Sequence, residues 1–188
     1  MNIESNLDRL KTGNTNYVND NLNNDLQDSS RRKDVVGGQN PFAVVLTCSD
    51  SRIVPELIFD TGIGELFVIR VAGNVANPSS IASVEYAITH LNVQLIVVLG
   101  HQNCGAVTAA LAGGDNGKNI DHLFSFIQPA ISISDSKKVD DVSHLHAKLT
   151  AKMLIDDSNI IKKALDNDSL KIVPAYYNLN SGQVDFFE

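Results

Sequence analysis

The chain has 188 residues, of which 43% are hydrophobic, and it carries a formal net charge of −7. This length and composition suit one globular domain with a single core. The acidic balance argues against nucleic acid as a partner, because phosphate-binding proteins usually present a basic face. No apolar run approaches the roughly 20 residues that cross a bilayer, and the first residues do not resemble a secretory signal. We therefore expect no membrane association and a cytoplasmic location.

The first part of the chain predicts a helical arm. Apolar residues recur at a loosely helical spacing over residues 5–18, which indicates an amphipathic helix. Residues 19–33 are rich in Asn, Asp and Ser and predict a loop or a short exposed helix. We divide the expected single domain into an N-terminal helical arm, residues 1–37, and an α/β core, residues 38–188.

Apolar runs in the core predict strands. Residues 42–47, 66–71 and 95–99 are apolar on both faces, as strands covered by helices on both sides must be. A weaker run at 171–177 is followed by a turn, after which residues 184–187 can return as an antiparallel edge strand.

Helical patterns lie between these runs. The clearest covers 78–91, where Asn77 can cap the helix and Pro78 fits its first position. Further helices are expected at 103–112, 121–133 and 143–166. The alternation of strands and helices predicts an α/β fold with a mostly parallel β-sheet flanked by helices and an antiparallel edge strand at the C-terminus.

Two polar segments directly follow two of the predicted strands. Cys48–Arg52 comes after the strand at 42–47, and Gly100–Gly105 comes after the strand at 95–99. Both segments therefore lie at the carboxyl ends of predicted parallel strands, where open α/β sheets place their ligand sites. If the two strands are neighbours, the two segments share one crevice.

Three residues of these segments have side chains that suit a metal ion. Cys48 and Cys104 offer thiolates and His101 offers an imidazole nitrogen, a soft donor set that selects zinc over magnesium or calcium. Three protein ligands leave a tetrahedral ion one open position, which is typical of catalytic zinc. A disulfide between the two cysteines is not expected in a reducing cytosol.

Asp50 and Arg52 lie beside this predicted zinc site and are candidate catalytic residues. The Asp50 carboxylate could accept a hydrogen bond from a water molecule on the metal, or it could bind zinc itself as a fourth ligand in a closed state. The planar guanidinium of Arg52 suits a bidentate hold on that carboxylate. The pair could thus decide whether the fourth position is open or closed.

The segments CSDSR at 48–52 and GHQNCG at 100–105, in this order, resemble the pattern of the β-class carbonic anhydrases. The likeness continues through 64–74 and 83–87. It covers most of the chain and is strongest over 39–111. Each motif alone is moderately specific, whereas the two together are highly specific.

This resemblance implies the reversible, zinc-dependent hydration of carbon dioxide to bicarbonate and a proton, a lyase reaction, by attack of a zinc-bound hydroxide. It also implies a homodimer or a tetramer built from dimers, with active sites near the dimer interface. By position it assigns substrate-binding roles to Gln39, Phe67, Tyr86 and Gly105. In relatives, the aromatic residues at the positions of Phe67 and Tyr86 often come from across the interface.

Other residues carry weaker expectations. Pro174 and His146 depart from the family's pattern, in which Gly and Asn are common at these positions, and we expect effects on packing or assembly contacts. His144 and His146 are expected at the surface or on a helix face. Arg70, at a strand end, is expected in a structural or interface ion pair.

Three other functions remain open from the sequence. The same fold and metal could serve the hydrolysis of a related small molecule, carbon disulfide or carbonyl sulfide. The chain could be a non-catalytic module that binds zinc or bicarbonate. Cys48 could instead act as a nucleophile with His101 as its base, in which case activity would survive removal of metal.

Overall fold

The computed structural model describes residues 3–23 and 26–187. Its strands are β1 (Ala43–Thr47), β2 (Leu66–Arg70), β3 (Leu95–His101), β4 (Lys171–Tyr177) and β5 (Val184–Phe186). Its helices are α1 (Ile3–Val18), α2 (Ser29–Asp34), α3 (Pro55–Ile58), α4 (Pro78–Leu91), α5 (Gly105–Ala112), α6 (Lys118–Ser125), α7 (Gln128–Ile133), α8 (Val139–Asp156) and α9 (Asn159–Asp166). A short 3-10 helix, Ala72–Asn74, follows β2. The expected arm, loop and core also include residues outside the described part, namely Met1, Asn2, Asn24, Asp25 and Glu188.

The strands form one sheet in the order β2-β1-β3-β4-β5. β1 is parallel to β2 and β3, β3 is parallel to β4, and β5 is antiparallel to β4. This confirms the predicted α/β fold with a mostly parallel sheet and an antiparallel C-terminal edge. Thr47 of β1 lies opposite Leu99 of β3, so the polar segments that follow these strands emerge side by side at one edge of the sheet.

Strands β1 and β3 are buried along their whole length, because helices cover both faces of the sheet. On one face, Val45 and Val97 belong to the core layer that includes Leu7 and Leu10 of α1. On the other face, Val98 belongs to the layer that includes residues of α4, α8 and α9. Each large aliphatic side chain buried in this way contributes about 1.5–3 kcal/mol. The strands that lead into the two polar segments are therefore firmly anchored in the core.

Helix α4 begins and ends where its sequence signals lie. The Asn77 side chain accepts a hydrogen bond from the Ser80 N–H at 2.9 Å, and the Ser80 hydroxyl accepts one from the Asn77 N–H at 2.9 Å. Pro78 occupies the first helical turn, and Asn92 ends the helix with φ 54° in the left-handed region. The predicted helix over 78–91 is confirmed.

Other helices differ from the prediction. The pattern at 121–133 corresponds to two helices, α6 and α7, and the pattern at 143–166 corresponds to α8 and α9. Ser158 separates the latter pair, because its hydroxyl caps α9 by accepting from the Ile161 N–H at 3.1 Å. The single-turn helix α3 was not predicted. Among the described residues, no helix combines the length and apolar character needed to cross a bilayer.

Helix α1 is tied to the rest of the fold by a buried asparagine and a close backbone approach. The Asn14 amide donates to the Ile58 carbonyl at 3.2 Å and to the Gly182 carbonyl at 2.9 Å, and its oxygen accepts from the Val184 N–H at 2.8 Å. A Cβ on Gly13 would lie 1.9 Å from the Phe59 carbonyl oxygen, so glycine permits this contact. The amphipathic helix expected at 5–18 is therefore part of the packed fold.

Pro174 lies inside β4 without disturbing its pairing to β3. The Pro174 carbonyl accepts a hydrogen bond from the Phe187 N–H at 2.9 Å, on the side of β5. In a strand, the N–H and C=O positions of one residue face the same neighbour. The N–H that proline lacks would thus also face β5, and the ladder between β3 and β4 loses no bond.

Candidate metal centre

Three buried side chains converge at the carboxyl edge of the sheet. The sulfur atoms of Cys48 and Cys104 and a ring nitrogen of His101 all lie within 4.8 Å of one another. Their residues are 4%, 1% and 0% exposed, respectively. Cys48 follows β1 directly, His101 ends β3, and Cys104 precedes the first residue of α5. Neighbouring parallel strands therefore bring Cys48 to His101 and Cys104, which lie 53 and 56 positions later in the sequence.

The histidine presents one nitrogen to this cluster. Nδ1 of His101 lies 2.9 Å from the Gln102 carbonyl, so Nδ1 carries the proton and donates. Nε2 is then a free acceptor, and it is buried without a hydrogen-bond partner in the described part of the chain. A buried unpartnered nitrogen beside two sulfur atoms fits a bound metal ion, since a ligand bond would satisfy it.

The two thiols share their electrostatic environment. Hydrogen bonds from the Cys104 thiol and from the Gly73 N–H lower the pKa of Cys48, against the opposing effect of burial. The Cys48 sulfur and burial raise the pKa of Cys104, although backbone N–H groups at the start of α5 favour its thiolate. A divalent cation would offset the repulsion between two adjacent thiolates, so the cluster is suited to one.

Asp50 is held by Arg52 beside the cluster. Nε and Nη2 of Arg52 donate to the two carboxylate oxygens of Asp50 at 2.9 and 2.7 Å, and the Arg52 backbone N–H donates at 3.0 Å. These hydrogen bonds hold the pKa of the Asp50 carboxyl well below its usual range. Both oxygens face Arg52, and the carboxylate is not among the three converging ligand groups found in the described residues.

Arg70 holds the backbone that carries Cys48 and Asp50. Its Nε donates to the Cys48 carbonyl at 3.2 Å, and its Nη2 donates to the Asp50 carbonyl at 2.7 Å. Within this chain the guanidinium of Arg70 therefore binds carbonyl groups and not a carboxylate, so the structural form of the expected ion pair is wrong, whereas an ion pair across an interface stays a prediction. Arg70 can reach them because β2 places it opposite Thr47, the residue before Cys48.

Asn103 links the segment 101–104 to helix α8 and to Arg52. Its φ of 53° lies in the left-handed region. Its N–H donates to Asp140 at 2.8 Å, and its carbonyl accepts from Arg52 Nη2 at 3.3 Å. Asp140 was not predicted as a site residue, and its only sequence signal is an acidic position in the first turn of a helix.

His146 lies on the buried face of helix α8, so of the two expected positions, the surface or a helix face, the surface position is wrong. It is 0% exposed, and its Nε2 lies 2.7 Å from the Gly73 carbonyl. Gly73 in turn donates its N–H to the Cys48 sulfur at 3.2 Å. Burial lowers the pKa of His146 to about 4, so the ring is neutral near pH 7. His144, two residues earlier, is half-buried, and its ring lies 3.6 Å from the Tyr176 ring.

The residues expected to bind substrate lie in two places. Gly105 directly follows Cys104 and is exposed. Gln39 is exposed before β1, at the opposite end of that strand from Cys48. Phe67 pairs with Val44, roughly 13 Å along the strand from Cys48 at 3.3 Å per residue. The Phe67 ring lies 6.2 Å from the ring of Tyr86, which is 47% exposed. A single chain therefore does not bring Gln39, Phe67 and Tyr86 close to its own metal cluster.

The chain is similar in sequence to known carbonic anhydrases. The family model described as carbonic anhydrase matches residues 43–184. Carbonic anhydrase 2 of Mycobacterium tuberculosis is 37% identical over 181 residues, which cover 93% of this chain and 87% of the relative. The carbonic anhydrase of Mycolicibacterium smegmatis is 36% identical over 183 residues, which cover 94% of this chain and 89% of the relative.

Solved structures share the fold. The Coccomyxa β-carbonic anhydrase, solved in complex with acetazolamide, has a TM-score of 0.76 at 26% identity, over 85% of this chain and 78% of that chain. A Sordaria macrospora β-carbonic anhydrase, from a pair described as tetrameric, has a TM-score of 0.75 at 26% identity, over 83% and 85%. The mostly parallel α/β sheet is thus the fold of known β-carbonic anhydrases, and the Cys-His-Cys group of this chain could hold a metal ion. The chain belongs to the β-class carbonic anhydrases, as the sequence motifs predicted.

Proposed function

We propose that this chain catalyses the reversible hydration of carbon dioxide to bicarbonate and a proton, with zinc as its metal ion. The observation that carries the proposal is the convergence of Cys48, His101 and Cys104 within 4.8 Å, with a buried, unpartnered His101 nitrogen in the described part of the chain. Two thiolates and one imidazole suit zinc better than a hard cation. Bound zinc would supply a nucleophile near neutral pH by lowering the pKa of a water molecule.

Asp50 and Arg52 are the proposed catalytic residues. The ionised Asp50 carboxylate can accept a hydrogen bond from the reacting water and direct a lone pair of that water at carbon dioxide. It does not take the proton near pH 7, because Arg52 holds the Asp50 pKa far below that value. Arg52 keeps the carboxylate in one orientation through two side-chain hydrogen bonds. A carboxylate released by Arg52 could bind the metal as a fourth ligand and close the site.

Substrate binding is proposed at Gly105, Gln39, Phe67 and Tyr86. Apart from its chain neighbours and the backbone of its own helix, a Cβ at Gly105 would meet no atom of the described residues within 4 Å, so the approach beside Cys104 is open. The other three lie toward the far end of the strands and can line a metal site only if a second copy of the chain supplies them. The half-exposed Tyr86 ring suits burial in such an interface. We therefore include a homo-oligomer built from dimers in the proposal, supported by the Sordaria relative described as tetrameric.

A cytoplasmic location is also part of the proposal. Both cysteines are free and buried, and a reducing compartment keeps thiols in this form. Oxidation would remove two of the three proposed ligands.

The test combines metal analysis with a stopped-flow assay of carbon dioxide hydration. We expect about one zinc ion per chain in the wild type, and the loss of both zinc and activity in Cys104→Ser, because a ligand is removed. Arg52→Ala should retain zinc but lose activity by about 10–100-fold, as is typical when a group that orients a metal site is removed. Arg32→Ala, which alters an exposed arginine on α2, is the matched control and should behave as the wild type.

Each competing function gives a different result in the same assays. Full activity in metal-free protein would refute the zinc mechanism and favour Cys48 as a nucleophile. Stoichiometric zinc with no turnover would favour a non-catalytic zinc or bicarbonate module. Faster turnover of carbonyl sulfide or carbon disulfide than of carbon dioxide would favour the alternative hydrolase.

A further inference from the structure

A buried histidine is connected to the metal cluster through one glycine. His146 Nε2 lies 2.7 Å from the carbonyl oxygen of Gly73, and the Gly73 N–H donates to the Cys48 sulfur at 3.2 Å. Because a carbonyl only accepts hydrogen bonds, Nε2 carries the proton and His146 is the donor. Both backbone groups of Gly73 are thus engaged, its N–H by the Cys48 sulfur and its carbonyl by the His146 ring.

The backbone at Gly73 needs such an anchor. Gly73 has φ 70°, and the next residue, Asn74, has φ 47° although it is not a glycine. Two successive residues in the left-handed region persist only when their surroundings hold them there. A Cβ on Gly73 would lie 3.0 Å from Ile127 and 3.2 Å from Ala106, so the position is also closely packed.

The direction of the Gly73 N–H depends on the rotation of that residue about its backbone bonds. A carbonyl fixed by His146 limits this rotation, and the N–H is thereby kept on the sulfur. A hydrogen bond to a thiolate withdraws electron density from it and so changes the strength of its bond to a metal.

We propose that His146 is a positioning residue for the metal centre: by holding the Gly73 carbonyl, it aims the Gly73 N–H at Cys48 and sets the donor strength of that thiolate. This inference rests on the proposed metal site and goes beyond the assignment of ligands. His146 touches neither substrate nor metal and acts through the backbone.

The test uses Co²⁺ as the probe, because its absorption spectrum reports directly on bound thiolates. His146→Leu removes the donor, whereas His146→Gln places an amide nitrogen near the position of Nε2. His122→Leu, at an exposed histidine on α6, is the matched control. Each variant is first checked for the wild-type circular dichroism spectrum and assembly mass, and is then titrated with Co²⁺ against a chelator.

We expect His146→Leu to bind Co²⁺ about 10–100-fold more weakly than the wild type. Its sulfur-to-cobalt charge-transfer band should move to lower energy, because a thiolate without its hydrogen bond gives up an electron more easily. His146→Gln should restore most of the affinity and the band position, and the control should match the wild type.

Wild-type affinity together with an unshifted band in His146→Leu would overturn the role of His146. If that variant does not fold, His146→Asn takes its place, because its shorter amide does not reach the Gly73 carbonyl, and an unshifted band in it would have the same meaning. A wild-type protein that binds no Co²⁺ would instead refute the proposed metal site, so the two failures are distinguishable.

Discussion

The buried side chain of Asn14 should make a large contribution to stability. It is 5% exposed and makes three hydrogen bonds to backbone groups, those of Ile58, Gly182 and Val184. These bonds join α1 to the end of α3 and to the edge strand β5. Asn14→Ala removes all three at once and offers no replacement.

The expected loss of stability follows from how deeply each of the three backbone partners of Asn14 is buried. The bonds to Ile58 and Val184 are buried, whereas the bond to Gly182 is only partly buried, so water can replace that one. A buried backbone group left without a partner costs about 1–3 kcal/mol. Alanine recovers about 0.5 kcal/mol through its higher helix propensity. We therefore expect Asn14→Ala to lower the free energy of unfolding by about 2–5 kcal/mol, a large share of the roughly 5–15 kcal/mol that stabilises a typical protein.

The measurement is urea denaturation followed by circular dichroism, at one fixed protein concentration because unfolding of an assembly depends on concentration. Thr15→Ala is the matched control on the same helix. Thr15 is exposed, and its hydroxyl donates to the Lys11 carbonyl of the preceding turn at 3.0 Å. The control should change stability by less than about 0.5 kcal/mol. Equal stability of Asn14→Ala and Thr15→Ala would refute the estimate.

Three further predictions concern the site and its supports. Asp140→Ala removes the acceptor of the Asn103 N–H and should lower carbon dioxide hydration by about 10–100-fold with zinc retained; wild-type rates in the stopped-flow assay would contradict this. The pKa of His146 falls from 6.5 to about 4 on folding, so the unfolded chain binds the proton more readily and stability declines as pH drops below 6.5. When the pH is lowered from 7 to 5, the free energy of unfolding of the metal-free wild type, measured by urea denaturation, should fall by about 2 kcal/mol more than that of His146→Gln. Equal decreases in the two proteins would count against a buried neutral ring. Gly13→Ala should separate α1 from the Phe59 carbonyl and lower the thermal midpoint by about 4 °C or more; an unchanged midpoint would show that the helix shifts freely.

The central sheet and the metal cluster could be predicted because their signals are local. The runs that form β1 and β3 are apolar on both faces, and a strand of that kind lies between helices. Cys48 and His101 then lie at carboxyl ends of strands, so one assumption, that the strands are neighbours, brings them together. The start of α4 was equally clear, because Asn77 and Pro78 are specific to a helix N-terminus.

The groups around the cluster could not be predicted in the same way, because their partners are distant in sequence. Arg70 reaches two carbonyl groups only through the register of β2 with β1. Asp140 meets Asn103 only after α8 packs beside the sheet. His146 shares the buried side of α8 with Ser143 and Thr150, and this polar composition conceals a core-facing surface.

Breaks within helical patterns were missed for a different reason. The apolar spacing continues across the short breaks at 126–127 and 157–158, and periodicity alone does not register a change of helix axis. Ser158 was the available signal, because serine is favoured at the N-cap and its side chain caps α9 in the structure.

Pro174 also limits which strands can pair with the sheet at the edge that β4 and β5 form. Opposing residues of an antiparallel ladder exchange two hydrogen bonds at alternate positions, but proline can take part in only one of the two with Phe187. In the described part of the chain, the ladder between these strands joins Ala175–Tyr177 to Val184–Phe186. A foreign strand that tried to pair with β4 at Pro174 would lose the same hydrogen bond, so this position disfavours strand addition and the aggregation that can follow it.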